Sequence, residues 1–322
     1  MKTYVLRRIL ISIPLLLAIS FITFGILQLA PGDYFVKLAL NPQISEKTLN
    51  QYRVMYHLDQ PWLIQYFYWL KGVATLNFGF SFDNDLPVLE IIKSRLWNTF
   101  ILSLISIFFT WVVAIPVGIY CAVYQYKWGD KIFSVLAYMG LSIPNFFFAL
   151  LLLYFFGSYF DLLPIGGMYS NNYDDLSFLG KILDVGKHMI IPVIVIATSS
   201  MAGLQRIMRG NMLEVLRSQY LVTARAKGLS EKRVIYVHAL RNAINPMITL
   251  FGFQLPALLS GAALTEIIVS WPGLGSLMLE AVRSQDIYLV MANIVISGAL
   301  LIVGNLIADI LLVVADPRIQ VR

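Results

Sequence analysis

Glu266 and Asp309 stand inside apolar runs of the chain, where an unpaired charge costs several kcal/mol. Each is therefore a candidate for moving a proton or an ion. Asn305 and Asp309 fall at i, i+4 on one helix face, with Asn293 further up the same run. A relay along that face is the sharp reading. The plainer one is polar contact between helices, or a pair with an inner arginine. Glu266 lies one turn from the outer end of its run and Asp309 two turns from the inner end of its own, which favours the plainer reading. Other chemistry is absent from the spacing. His57, His188 and His238 are isolated from one another and from Cys121, so neither a metal set nor a nucleophile with its base is readable. Gly180-Lys181 and Gly186-Lys187 lack the upstream glycine and the following Ser or Thr of a phosphate-binding loop. The chain is not expected to hydrolyse ATP by itself. Leu259-Ser260-Gly261 lies within an apolar run and reads as small-residue helix packing.

A second kind of work is mechanical. Thr223-Ala224-Arg225-Ala226-Lys227-Gly228 sits in a basic loop between apolar runs. Ala224, Ala226 and Gly228 are small residues at alternate positions. They would let a short helix lie close against a partner's surface and then turn away. Arg225, Lys227, Lys232 and Arg233 could pair with acids on that partner.

The elements that must hold these residues are membrane helices. The composition is 58% hydrophobic and 13% charged, with a mean hydropathy of +0.74, outside the range of soluble globular domains. Six apolar runs approach the roughly 20 residues that cross a bilayer: Ile9–Leu29, Thr99–Tyr124, Phe133–Tyr159, Met189–Ile207, Ala243–Val269 and Leu289–Val314. The first is longer than a signal-peptide core, and no small-residue cleavage pattern follows it, so it is read as an anchor. Cys121, the single cysteine, reads as a small buried apolar residue. The fold class is an all-α integral membrane protein.

The formal charge of +6 points to orientation rather than to nucleic acid. With the amino terminus cytoplasmic, fifteen of the 24 Lys and Arg residues fall inside and nine outside, the asymmetry expected of loops that stay in the cytoplasm. Both termini are then cytoplasmic. Residues 1–30 form an anchor helix with Lys2, Arg7 and Arg8 at the membrane surface. Residues 31–98 form an extracytoplasmic segment, and residues 99–322 a five-helix core with its longest inner loop at about 208–242.

Within the outer segment Ser45-Glu46 and Asp59-Gln60-Pro61 read as helix starts. Trp62, Tyr66 and Trp69 share one face of the second helix, suited either to the headgroup layer or to packing on the spans. Pro87 opens an amphipathic approach through Leu89, Ile92 and Leu96, and Pro144 predicts a kink in the third span. Ser270-Trp271-Pro272-Gly273-Leu274-Gly275 is an outer turn.

Read together, these segments resemble membrane permeases of binding-protein-dependent ABC importers, in the branch handling dipeptides, oligopeptides and nickel. The resemblance covers essentially the whole chain. It rests on Leu6-Arg7-Arg8, Ala30-Pro31-Gly32-Asp33, Leu58-Asp59-Gln60-Pro61, Phe78-Gly79-Phe80-Ser81, Ser142-Ile143-Pro144 and Leu163-Pro164-Ile165-Gly166-Gly167. Its strongest parts are Thr223 to Ser230, His238-Ala239-Leu240-Arg241-Asn242-Ala243 and Ser270 to Gly275. It implies a coupling helix at Ala224, Arg225, Ala226, Lys227 and Gly228 that docks on an ATP-binding subunit. Ser270, Trp271, Pro272, Gly273 and Gly275 would meet a solute-binding protein or form an outer gate. The implied partners are a second homologous permease, two ATP-binding subunits carrying ATP and magnesium, an extracytoplasmic binding protein and membrane lipid. No cofactor is implied in this chain. The sequence departs from the pattern at Val222 and Gln219, where acids often stand, so only the small residues carry over.

The resemblance therefore favours a plasma-membrane importer subunit with short peptides as cargo, and nickel or a nickel chelate as the alternative. A proton-coupled membrane subunit would give Glu266 and Asp309 the leading part but has no need of the small-residue loop.

Overall fold

The computed structural model describes residues 2–29, 32, 34–39, 45–248, 250–251, 254 and 262–315. Among these, regular structure is helical, and the single strand-like feature is a bridge between Phe80 and Pro87. The helices are α1 (Lys2–Gln28), α2 (Tyr34–Leu38), α3 (Glu46–Met55), α4 (Trp62–Ala74), α5 (Val88–Val123), α6 (Trp128–Ser142) and α7 (Asn145–Leu152), which continues as a π-helix over Leu153–Tyr159. There follow α8 (Phe178–Leu216), α9 (Gln219–Ala226), α10 (Glu231–Arg233), a π-helix over Val234–Ala239, α11 (Leu240–Ala243), α12 (Ala263–Ile268), α13 (Leu274–Ser284) and α14 (Ile287–Ala315).

Four stretches are long and apolar enough to cross a membrane: Tyr4–Gln28, Val88–Val123, Phe178–Leu216 and Ile287–Ile310. The pair Trp128–Ser142 and Asn145–Tyr159 makes up to five, with a bend of 108° between its halves. That bend corrects the expected kink at Pro144 to a full break. The ring of a proline disfavours helical geometry in the residue before it. Ile143 accordingly turns extended (φ −86°, ψ 123°), and Pro144 (φ −59°, ψ 134°) precedes a new helix. Much of the Ala243–Val269 run, including Leu259-Ser260-Gly261, lies outside the described residues, as do Pro31, Asp33 and the Asp316-Pro317-Arg318 ending.

Two spans outgrow their apolar runs. α5 has 36 residues and α8 has 39, roughly 54 and 58 Å at about 1.5 Å per residue, more than a bilayer of about 40–45 Å needs. Their polar flanks continue the helix because nothing stops it: Ser177 caps α8 by accepting the Gly180 amide at 3.2 Å. Pro116 and Pro192 lie inside these helices, as membrane helices tolerate. The two run together closely, since a Cβ on Gly118 would stand 2.8 Å from Met208 Cβ.

The core divides by height. At one end Ile119 and Ala122 of α5 pack with Met208 and Met212 of α8, Leu221 and Ala224 of α9, and Val234 and Ala239 of the second π-helix. At the other end Leu102, Met189, Val193 and Trp271 cluster. Beside that second end lie Val88, Ile92, Leu274, Leu277 and Leu289. The Thr223–Gly228 segment and the Ser270–Gly275 turn are therefore at opposite ends of the bundle.

The α4 aromatics pack on the spans. Tyr66 and Trp69 are buried with Phe24 of α1 and Met291 of α14, and the Tyr66 hydroxyl shares a hydrogen bond with Ser20 at 2.9 Å. Trp62 leans on Phe21 at 5.6 Å. The opposite face of α4, with Leu63, Ile64, Phe67 and Tyr68, is exposed.

Candidate functional site

α9 is a two-turn helix whose faces differ sharply. Leu221 and Ala224, at i, i+3, point into the core of the chain's own end cluster, and Ala224 is 9% exposed. Ala226, two residues further and so about 200° around, is exposed, as are Thr223, Arg225, Lys227 and Gly228. Of the three small residues Ala224 belongs to the buried cluster that also holds Met208, Met212 and Val234. Ala226 and Gly228 remain on the open side, beside the exposed Tyr220 and Val222.

Gly228 ends the helix. Its φ is +77°, a conformation glycine reaches without steric cost, and its amide donates to the Arg225 carbonyl at 2.9 Å. A Cβ there would meet nothing within 4 Å, so backbone shape, not crowding, selects glycine. Arg225 forms a forked pair with Glu231, Nε to Oε2 at 3.1 Å and Nη2 to Oε1 at 2.9 Å. The carboxylate raises the Arg225 guanidinium's proton affinity, and the guanidinium holds the Glu231 carboxyl below its ordinary value. Arg225 thus brackets α9 to α10. Asn242 adds a brace by donating to the Tyr220 hydroxyl at 2.7 Å. What faces outward is a shallow ledge of small and β-branched residues, flanked by Lys227, Lys232 and Arg233.

At the other end the Ser270–Gly275 turn is wrapped around Glu266. The carboxylate, 1% exposed, accepts from Thr99 Oγ1 at 2.8 Å and from the Gly275 amide at 2.7 Å. Thr99 in turn accepts the Leu274 amide at 2.8 Å. Asn98 donates to the Pro272 carbonyl at 2.8 Å and receives the Trp271 indole N–H on its own carbonyl at 3.2 Å. Both glycines are required by close approach: a Cβ on Gly273 would stand 2.4 Å from the Glu266 carboxyl carbon, and one on Gly275 would stand 2.3 Å from Ala263 Cα. Trp271 and Gly273 are buried, Pro272 and Gly275 partly so, and Ser270 is exposed with φ +54°. Trp271 and Gly273 build the turn, and Ser270 is its exposed member.

Asp309 accepts from the Tyr4 hydroxyl at 2.6 Å and pairs with Arg8 at 3.5 Å, which joins the start of α1 to the end of α14. Asn305 lies one turn away, partly buried. Asn293 sits near the opposite end, donating to the Leu274 carbonyl at 3.0 Å. The three residues do not form a chain of contacts along α14.

Among the described residues three buried carboxylates escaped the sequence reading, Asp130, Asp184 and Asp286, and Asp184 accepts the Ser170 amide at 2.9 Å. Asp130 accepts two hydrogen bonds from Arg209 and one from the Tyr126 amide. Asp286, fully buried, accepts from Ser81 Oγ at 2.6 Å, from the Phe82 amide at 2.8 Å and from the Leu289 amide at 3.1 Å. It pins the Ser81-Phe82 stretch ahead of α5 to the start of α14. An acid beside a tight basic loop was the available signal for Asp130, and an acid just ahead of an apolar run, suited to capping a helix, was the signal for Asp286.

These features define a multi-pass helical membrane protein with a braced basic ledge at one end and a sealed turn at the other. The model for the inner membrane component of binding-protein-dependent transport systems matches residues 114–321, and the N-terminal model for such membrane components matches residues 1–104. The chain belongs to this family of inner membrane transport components, which are permease subunits and not ATPases. It is 41% identical over 321 residues to the oligopeptide transport system permease protein AppB of Bacillus subtilis, covering 99% of this chain and 100% of that one. It is 35% identical over 336 residues to the dipeptide transport system permease protein DppB of Escherichia coli K12, covering 99% of each. The di/tripeptide permease DppB of Pseudomonas aeruginosa is 33% identical over 337 residues, again covering 99% of each. Among solved structures, the inward-facing methionine ABC transporter MetNI overlays with a TM-score of 0.49 at 15% identity, covering 69% of this chain and 97% of that one.

Proposed function

We propose that this chain is one permease subunit of an ATP-driven importer that carries short peptides across the bacterial plasma membrane. The observation that carries the reading is the 41% identity, over essentially the full length of both chains, to a permease named for oligopeptide transport. The proposed topology has six spans with both termini cytoplasmic, residues 31–98 outside, and a core over 99–322. It is supported by the placement of α9 and the Ser270–Gly275 turn at opposite ends.

In this reading a second permease completes the path and two ATP-binding subunits, carrying ATP and magnesium, supply the energy. A solute-binding protein delivers cargo to the outer side, at the 31–98 segment and the edge marked by Ser270. The exposed ledge of α9, centred on Ala226, seats in a groove of an ATP-binding subunit. Closing of those subunits then pushes α9, and the Leu221 and Ala224 anchors pass the push to α5 and α8. Glu266 and Asp309 hold helices together in this scheme and carry no proton.

Deleting the gene tests the cargo. Growth on short peptides as the required amino-acid source should be lost, while urease or hydrogenase activity without added nickel stays intact. The reverse pattern would move the cargo to nickel.

A further inference from the structure

A cavity of about 370 Å³ opens between α5, α6, α7 and α8, within the volume range of small-molecule sites. Its walls are apolar: Val113, Val117, Leu136, Met139 and Phe148 among them. Leu136 and Met139 are exposed at its mouth, so the cavity reaches the outer face of the helix bundle. It continues into a smaller polar pocket of about 40 Å³, which shares Ala137, Ala202 and Gln205 with it and adds Ser134, Tyr138, Arg206 and Arg209.

The charge of that polar pocket is unbalanced. Arg209 is neutralised by Asp130. Arg206, one turn earlier on the same face of α8, is exposed and has no acidic partner among the described residues. The pocket also sits at headgroup height. Tyr126 and Trp128, 74% and 79% exposed, mark the nearby loop, and aromatic residues of this kind concentrate at the membrane interface. Lys131 lies 5.3 Å over the Trp128 ring and Lys127 4.9 Å over Tyr124. A cationic, polar mouth at the interface therefore leads into a dry slot that runs toward the membrane centre. Ser134 to Ser142 on α6 spans roughly 12 Å of that direction at about 1.5 Å per residue.

We propose that this slot binds one anionic glycerophospholipid, an acyl chain lying between α6 and α8 and the phosphate at Arg206, Ser134 and Tyr138. An empty slot would forfeit the dispersion contacts of its lining, and a fluid acyl chain restores them. Arg206 selects the headgroup, as basic pockets between membrane helices do on the cytoplasmic side. The site would wedge α6 against α8 next to the Asp130–Arg209 pair. This inference rests on the family's place in the membrane and not on the peptide reading.

The test is native mass spectrometry of the complete complex, purified from vesicles of phosphatidylcholine and phosphatidylglycerol in equal amounts. Wild type should retain one phosphatidylglycerol per copy of this chain. Arg206→Glu should lower that occupancy about tenfold, equivalent to roughly 1.4 kcal/mol, and Arg206→Lys should keep most of it. Ala137→Trp, which fills the slot, should remove it with the complex intact by size. Equal retention in wild type and Arg206→Glu overturns the proposal, and so does retention of phosphatidylcholine instead. A photo-crosslinker at Leu136 should capture lipid; capture of the second permease would show that protein covers this face and would likewise overturn it. Peptide uptake plays no part in these readouts, so they stand apart from the cargo assignment.

Discussion

Arg209 clasps Asp130 through two hydrogen bonds, Nε to Oδ1 at 2.9 Å and Nη2 to Oδ2 at 3.0 Å, and so ties the first turn of α6 to the C-terminal half of α8. Asp130 is 3% exposed. Removing one member of a buried pair costs about 3–5 kcal/mol because the other charge is left alone. Arg209 retains a side-chain exposure of 26%, which places Asp130→Ala at or below the low end. Thermal melts of the purified complex should show a clear loss for Asp130→Ala and a smaller further loss when Arg209→Ala is added. Strictly additive losses in that double-mutant cycle would show that the pair is not coupled.

The turn around Glu266 gives a second expectation. Thr99→Val removes the donor to Glu266 and the acceptor for the Leu274 amide, and unsatisfied buried groups cost about 1–3 kcal/mol each. Gly275→Ala forces a Cβ to 2.3 Å from Ala263 Cα, and overpacking of that sort costs about 1–3 kcal/mol. Both variants should melt earlier while the folded fraction still transports. Full stability together with abolished transport in Thr99→Val would instead give Glu266 a part in moving ions.

The Arg225–Glu231 bracket sets a pH dependence. Arg225 depresses the folded-state value of Glu231 from its ordinary 4.5. A depressed acid stabilises the fold above its unfolded value and loses that contribution as pH falls through its folded value. Glu231→Gln should therefore weaken the loop at neutral pH, and the difference from wild type should vanish well below pH 4.5. The side chains are 38% and 57% exposed, so the effect is at most about 1 kcal/mol and shrinks with salt. Limited proteolysis of the loop across pH measures it. A larger difference in acid than at neutral pH would contradict the assignment.

Much of this architecture was legible in the sequence, and the failures have physical causes. Apolar runs located α1, α5, α8 and α14 because hydropathy alone places a membrane helix. The ends of α5 and α8 were set too short because the runs mark lipid thickness, whereas the helices continue until a backbone signal stops them. Pro144 was visible, but the extended geometry it imposes on Ile143 compounds with its own to give a break of 108°. The small-residue loop was legible as a surface for close approach. Which of Ala224 and Ala226 faces outward depends on helix phase against the core, and that follows from Leu221 once α9 is known to start at Gln219. Asp130 with Arg209, and Asp286 with Ser81, join residues far apart in the chain, and no local pattern announces such partners.

Topology is checked by thiol labelling in a Cys121→Ser background. That change is tolerable because Gln205 can donate to the serine hydroxyl as it does to the Cys121 sulfur at 3.4 Å. Cysteines placed at Asn172 and Glu280, both exposed, should react with an impermeant reagent added to intact cells. One placed at Ser230 should not. Labelling at Ser230 from outside would overturn the six-span arrangement with cytoplasmic termini.

The proposed coupling surface is tested most directly by Ala226→Trp, with co-purification of the ATP-binding subunits and peptide uptake measured on the same preparation. Ala226 is exposed, so the new side chain leaves the chain's own core alone and meets only a docked partner. Overpacking there by about 1–3 kcal/mol weakens docking roughly tenfold at 1.4 kcal/mol per decade. Membrane insertion and pairing with the second permease should persist while ATP-binding subunits and uptake are both lost. Gly228→Val should act alike by straining the helix stop, whereas Ala224→Trp should destabilise the chain itself, and charge reversal at Lys232 should do little. Normal uptake by Ala226→Trp with the ATP-binding subunits still attached would contradict the claim that α9 is the coupling element.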